Sequence, residues 1–528
     1  MTHLNDSMSD SQASSPFAFW AGAGRISAGR EMKRTVGRTL KPAVALAAVL
    51  GLTICQVRAA DEPGIRSGDV LAIMLKAADW QLANPSPEPP LRWTQAALYT
   101  GMMALGDLCA DPKYRAALMA VGRSNGWKTG ERPYHADDHC VGQMYCEMYV
   151  LERDPAMIAP LRERFDYILT NPSTAAVGVI TKTGGVPGGV MRWWWCDALF
   201  MGPPVWAKLY SITGETKYLD FMIREWKATS EFLYDRDERL YFRDQTYFKK
   251  REANGAKVFW SRGNGWVMGG LVRVLQVLPT DHTARPYFEG QFREMAESAL
   301  KSQQPDSLWH SSLLDPASYP VPESSGSGFF CYAFAWGVNQ GLIPRARFQP
   351  AALKAWSGLT SLVDADGKLT HVQPVGADPK TFDPGLSQTY GVGAFLLAGS
   401  EIYRMALTAE LPHARLQIRN RADALRPKEI VEIDWRGLAR NLPGAKEDTV
   451  AVMDGLAARW LPTQVSNRPG GRAPAKLLLQ SDFLPLQKRT YLVFSGIDRV
   501  NFPGPSGKVD DKPGAARRGP RPKVEWKH

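Results

Sequence analysis

Residues Gly265–Leu275 read GWVMGGLVRVL: a small residue opens an almost wholly apolar stretch that carries an aromatic and further glycines. The pattern returns at Leu98–Leu108 (LYTGMMALGDL), Val141–Leu151 (VGQMYCEMYVL), Leu199–Leu209 (LFMGPPVWAKL), Gly328–Val338 (GFFCYAFAWGV) and Gly391–Tyr403 (GVGAFLLAGSEIY). The starts fall roughly 40–65 residues apart, room for an inner helix, a loop and an outer helix. Between them lie more polar stretches such as Thr216–Leu233 and Arg285–Gln303, apolar at i, i+3, i+4 spacing. Small residues on the inner helices suit close packing around an axis. Six helix pairs with no convincing strand between them predict an all-α (α/α)6 barrel. An open α-solenoid is the alternative. It would repeat at fixed length, and these spacings are irregular.

Past Leu407 the texture changes. KEIVEID (Lys428–Asp434), TVAVM (Thr449–Met453), KLLLQ (Lys476–Gln480) and TYLVF (Thr490–Phe494) are short β-type runs separated by Pro, Gly and Asn turns. They predict a small all-β domain, sandwich-like, over 412–498. The barrel then occupies 60–408, and 499–528, with KPGAARRGPRPK, reads as a basic disordered tail.

The chain has 528 residues, 44% of them hydrophobic and 22% charged, so it is an ordinary globular protein rather than a disordered or fibrous one. Its 17 tryptophans promise large core side chains or flat stacking surfaces. The formal net charge of +11 invites a nucleic-acid reading, but residues 1–59 and 506–528 each contribute +4. The body is nearly balanced, which argues against nucleic acid as partner. PAVALAAVLGLTIC (Pro42–Cys55) is too short to span a bilayer, which takes roughly 20 residues. Basic residues precede it and Val57-Arg58-Ala59 follows, the signature of a secretory signal peptide whose true start is Met32. The expected product is periplasmic or secreted, without integral membrane association. Cys109, Cys140, Cys146, Cys196 and Cys331 would remain. They show no CxxC spacing and read as free buried thiols.

Polar residues cluster in loops just before the inner helices. His135-Ala136-Asp137-Asp138-His139 precedes the second, and Arg192-Trp193-Trp194-Trp195-Cys196-Asp197 the third, behind the glycine-rich Gly184–Gly189. Trp260-Ser261-Arg262-Gly263-Asn264-Gly265-Trp266 precedes the fourth, and Glu323–Gly328 the fifth. In a closed ring these loops share one end. An acid set among tryptophans has a raised pKa and donates a proton near neutrality. Arginine forks bind carboxylates. The bland readings are a helix-capping role for Asp137 and Asp138, and carbonyl bonding for Arg262. Three consecutive tryptophans point different ways, so at least one should meet a cavity. His135 and His139 at i, i+4 lack a third ligand, so no metal and no cofactor are expected.

Taken together, ADDHCVGQ (Ala136–Gln143), WWCDALFM (Trp194–Met201), WSRGNGW (Trp260–Trp266), Glu323–Gly328 and YGVGAFLLAGSE (Tyr390–Glu401) resemble the unsaturated rhamnogalacturonyl hydrolases, glycoside hydrolase family 105. Their sister family is the unsaturated glucuronyl hydrolases, family 88. The resemblance spans about 70–405. It implies an (α/α)6 barrel that removes a 4,5-unsaturated uronic acid from the non-reducing end of pectin-derived lyase products by hydrating the C4=C5 enol ether. The substrate would be an acidic unsaturated oligosaccharide. Asp197 takes the place of the catalytic aspartate, delivering a proton to C4 and activating the water that adds at C5. The second family aspartate falls within the Asp137-Asp138 pair, with Asp137 the leaning. Trp195, Trp260 and Trp266 match stacking positions and Arg262 a substrate-binding arginine, with Asp138, His139 and Trp194 beside them. Some members carry a histidine after the Leu-Tyr matching Leu240-Tyr241, where this chain continues Phe242-Arg243-Asp244. That departure concerns the sugar in the next subsite. Alternatives are an unsaturated glucuronyl hydrolase acting on glycosaminoglycan fragments, a polysaccharide lyase or inverting glycosidase on the same barrel, and an exported sugar-binding protein. An inverting enzyme would need two carboxyls roughly 6.5–9.5 Å apart.

Overall fold

The computed structural model describes residues 64–177, 192–467, 474–497 and 521–527. The signal-like segment and the glycine-rich Gly184–Gly189 lie outside the described residues. Helices of two kinds alternate along the chain. Ser67–Ala83 buries Val70, Met74, Ala77, Ala78 and Gln81, one stripe of an amphipathic helix with the rest turned to water. Lys113–Ser124, Ala159–Thr170, Thr216–Leu233, Arg285–Lys301 and Arg345–Ser361 bury similar stripes. The helices they alternate with are Trp93–Gly106, Gly142–Glu152, Pro203–Thr213, Ser261–Leu275, Ser324–Gln340 and Thr389–Glu410. Ser324–Gln340 is buried at every position through Val338, as an enclosed helix must be.

These inner helices are the six read from sequence, and the third is split: Ala198–Met201 precedes Pro203–Thr213, broken at Gly202. Pro203 has no N–H to continue a helix but suits its first turn. Thr389–Glu410 packs against both Ser324–Gln340 and Trp93–Gly106, the neighbour before it and the first inner helix. The last contact is backbone-close. A Cβ on Gly101 would stand 2.5 Å from the Gly393 oxygen, so the two helices meet only because both positions lack side chains.

The β region comprises two antiparallel sheets. In the larger, Lys523–Lys527, His413–Arg419, Lys488–Phe494, Ala451–Asp454 and Trp460–Leu461 lie side by side in that order. In the smaller, Pro474–Phe483 sits between Arg426–Asp434 and Thr463–Asn467. Leu477, Leu479 and Phe483 alternate inward along their strand and share a core with Ile418, Ile433 and Val493. The disordered reading of 499–528 is corrected at its end, where Lys523–Lys527 is an edge strand. Val524 and Trp526 alternate onto the β core, and Trp526 pairs with Leu416. The loop Asp454–Arg459 meets the C-terminal ends of the inner helices. Trp336 Nε1 donates to Leu456 O at 2.8 Å, and Gln340 Nε2 and Arg404 donate to Gly455 O at 2.7 and 3.0 Å. The opposite, N-terminal ends of the inner helices carry the polar motifs.

Candidate active site

His135 closes the start of the short helix Ala136–His139 by accepting the Asp137 N–H on Nδ1 at 3.3 Å. The two aspartates then part. Asp138 is taken by Arg132: the guanidinium donates to it through Nε at 3.1 Å and a terminal nitrogen at 2.5 Å, and the backbone N–H at 2.7 Å. Burial works to raise the Asp138 pKa, but the Arg132 bonds win and hold it below the usual range. Asp137 has no such partner. Burial, and next the charge of Asp197, push its carboxyl up to about 7. Sequence left these two open, and the structure separates them by their partners.

Asp197 stands at the head of Ala198–Met201, with its residue 8% exposed. Burial raises its pKa against the pull of Arg243 and then Arg262. Its segment is stitched to the chain after Leu240–Tyr241 by Cys196 N–H donating to Arg243 O at 2.9 Å. That bond carries the Arg243 side chain to the aspartate, with Nε 3.5 Å from Asp197 Oδ2. The guanidinium lies over the Trp194 ring, 5.6 Å from its centroid.

Trp194 is half-buried, and is the one of the three consecutive tryptophans left partly open. Trp193 is core, its carbonyl accepting from Thr229 Oγ1. Trp195 is buried with its ring 4.7 Å from that of His135. Trp260 donates its indole N–H to Gln373 Oε1 at 2.9 Å. Trp266 packs among Trp93, Phe200, Phe329 and Tyr390. Trp195, Trp260 and Trp266 are all buried, so none of them presents an open face. The half-buried Trp93, on the first inner helix, is the aromatic that sequence reading missed.

Two expectations change outright. Arg262 is wholly buried, sandwiched between the Trp260 and Tyr390 rings, donating to Gln373 O, to Pro374 O at 2.8 Å and to the Tyr390 hydroxyl at 3.1 Å. Both of its terminal nitrogens are spent on the protein, its buried Nε makes no hydrogen bond, and it acts on Asp197 through charge. His139 is a core residue. Its Nε2 bonds Pro133 O at 2.6 Å, Trp206 Nε1 donates to its Nδ1 at 3.4 Å, and burial pushes its pKa down to about 4. It is neutral, with both ring nitrogens engaged. Asp138 likewise faces Arg132 rather than a ligand. Among the described residues no three His, Cys, Asp or Glu side chains form a metal cluster. The five cysteines are buried and free.

The arrangement is a pair of carboxyls whose burial favours keeping a proton, a cation beside one of them, and a tryptophan beneath that cation. It suits acid–base chemistry on a neutral or anionic sugar. The family model of glycosyl hydrolase family 88 matches residues 70–406. An unsaturated 3S-rhamnoglycuronyl hydrolase of Formosa agariphila is 38% identical over 353 residues, 65% of this chain and 93% of that protein. A glycosyl hydrolase family 88 structure from Bacteroides vulgatus is 32% identical with a TM-score of 0.59, covering 64% of this chain and 99% of its own. A solved structure described as a polysaccharide lyase is 34% identical with a TM-score of 0.58, over 64% and 98% of the two chains. A match across the whole helical region, with relatives this similar over nearly their full lengths, places the chain in glycosyl hydrolase family 88, and it is a glycosidase.

Proposed function

We propose that this glycosidase removes a 4,5-unsaturated uronic acid from the non-reducing end of an oligosaccharide by hydrating its C4=C5 enol ether. The carrying observation is the Asp137–Asp197 pair, both raised, with Asp137 at about 7. Burial raises both carboxyls and the charge of Asp197 raises Asp137 further, so the site favours holding a proton. In this reading Asp197 passes the proton to C4 and then takes one from the water whose oxygen bonds to C5. The resulting hemiketal opens to a C5 ketone, and the C1 hemiacetal collapses, releasing the neighbouring sugar. One water is consumed and no redox partner is needed. Asp137, raised to about 7, holds a proton beside Asp197 through the neutral range.

For the neighbouring sugar, the resemblance to rhamnogalacturonyl hydrolases and the name of the Formosa relative both favour a rhamnose-type residue. Pectin-derived fragments and sulfated rhamnoglycuronyl fragments are therefore the substrates to try first. The six inner helices support a closed (α/α)6 ring, because the sixth packs on the first. The signal-like Pro42–Cys55, outside the described residues, supports export to the periplasm or beyond.

One second reading has an observation behind it. The lyase-described relative is as similar as the hydrolases, and a lyase would make the enol ether instead of consuming it. Ultraviolet absorbance of the conjugated double bond decides. An unsaturated rhamnoglycuronyl or rhamnogalacturonyl disaccharide should lose its absorbance with wild type and keep it with Asp197→Asn. Absorbance that appears from a saturated uronyl-rhamnose polymer, with the disaccharide untouched, would establish the lyase instead.

A further inference from the structure

Two donors on the stacked Arg243 and Trp194 side chains lack acceptors. Arg243 Nε is buried and makes no hydrogen bond, its 3.5 Å approach to Asp197 being a charge contact only. The Trp194 indole N–H, on the ring beneath that guanidinium, is also buried and unpartnered. Buried donors are almost always satisfied, so two left open on a stacked pair of side chains point to an absent acceptor.

The rest of the guanidinium is held from behind. One terminal nitrogen donates to Asp244 Oδ2 at 2.7 Å. Asp244 is itself fixed, its other oxygen accepting from the Thr246 N–H at 2.8 Å and hydroxyl at 2.6 Å. Among the described residues no group hydrogen-bonds the edge formed by Nε and the second terminal nitrogen, where Asp197 Oδ2 stands at 3.5 Å from Nε, and that edge has the fork geometry that matches a carboxylate. The Arg243 side chain keeps 21% of its surface open. Arg262, the other cation acting on Asp197, also has an unpartnered buried Nε, but both of its terminal nitrogens are taken by carbonyls and its guanidinium lies between two aromatic rings, with the residue wholly buried.

We infer that Arg243, with the Trp194 indole N–H beside it, anchors the carboxylate of the substrate's unsaturated uronic acid. The inference rests on the hydrolase reading above and adds the group that orients the sugar. The carboxylate is carried on C5, the atom that takes the water, and C4 is next to it. A fork 3.5 Å from Asp197 that grips this group therefore sets the double bond against the acid. The same grip draws the guanidinium toward the substrate and loosens its pull on Asp197.

The test compares an unsaturated uronyl-rhamnose disaccharide with its uronate methyl ester, following loss of absorbance. Wild type should prefer the free acid, by kcat/KM, by about 30-fold or more, the scale of a lost buried charge pair. Arg243→Gln should collapse that preference, Arg243→Lys keep part of it, and Trp194→Phe lower it several-fold. If both substrates slow equally in Arg243→Gln, so that the preference stands, Arg243 merely shapes the site and the anchor is overturned. If the preference stands while discrimination between 3-sulfated and unsulfated rhamnose is lost, Arg243 reads a sulfate and the carboxylate assignment is overturned. Should Arg243→Gln not fold, Arg243→Lys and Trp194→Phe decide by the same ratio. Wild type inactive on both substrates overturns the hydrolase reading itself, and the anchor with it.

Discussion

Arg132 grips Asp138 through Nε, a terminal nitrogen and its own backbone N–H. That grip releases the adjacent Asp137 for the site, because consecutive residues on this turn point apart. Asp137→Asn should lower kcat about 100- to 10,000-fold, the range for a lost acid–base group. Asp138→Asn should keep activity per folded molecule within a few-fold and cost about 1–2 kcal/mol of stability, a modest figure because Arg132 is half exposed. Steady-state rates and thermal melts of both variants check this. Loss of activity in Asp138→Asn alone would exchange the two roles.

Asp137 also sets a pH limit. Its folded pKa of about 7 lies above the ordinary carboxylate value. The folded state then holds a proton that the unfolded state has released, so this group subtracts stability as pH rises from about 4 to 7. Asp137→Asn should therefore melt higher than wild type at pH 8 and not at pH 4. Turnover should decline above about pH 7 as Asp137 loses its proton. Melting curves at the two pH values and a kcat–pH profile measure both effects.

His139 runs the other way. Burial holds its pKa near 4, so between about pH 4 and 6.5 the unfolded chain binds a proton that the folded chain does not. Its contribution is lost as pH falls through that window. His135, pushed down to about 3, adds to the same slope. His139→Gln should flatten the acid side of a stability–pH curve followed by denaturant unfolding. An unchanged slope would place the titration elsewhere.

Gly101 faces the Gly393 oxygen at the contact between the first and last inner helices. A methyl group there must push the two backbones apart. Gly101→Ala should cost about 1–3 kcal/mol, visible as a lower denaturant midpoint. Gly290, on Arg285–Lys301 with open space around its Cα, supplies the control: Gly290→Ala should be neutral or stabilising.

In the β region, buried Asp454 accepts from Arg489 and from Arg459, the latter at 3.3 Å. Asp454→Ala leaves two cations without their partner and should cost about 3–5 kcal/mol. Because this loop meets the C-terminal ends of the inner helices while Asp197 sits at the opposite ends, kcat below the melting temperature should be unchanged. A fall in kcat would show that the β region reaches the active site.

The sequence by itself determined where the six inner helices run and that they are enclosed. A helix apolar all round, such as Ser324–Gln340, has no solvent face to offer, and an amphipathic one such as Ser67–Ala83 declares its stripe through the spacing of Val70, Met74 and Ala77. Four β strands between Arg426 and Phe494 were legible as short β-type runs between turns, His413–Arg419, Trp460–Leu461 and Thr463–Asn467 were not, and the edge strand Lys523–Lys527 was hidden by the basic residues around it. Motif order likewise brought Asp197, Trp194 and the Asp137-Asp138 pair to the page. What each of these does was decided by partners distant in sequence. Arg262 is closed by the carbonyls of Gln373 and Pro374, more than a hundred residues away. Arg243 reaches Asp197 because a backbone bond across 47 positions joins their segments. Charge, burial and an open hydrogen-bond edge are properties of a surrounding, and local sequence fixes a side chain's chemistry without its surroundings.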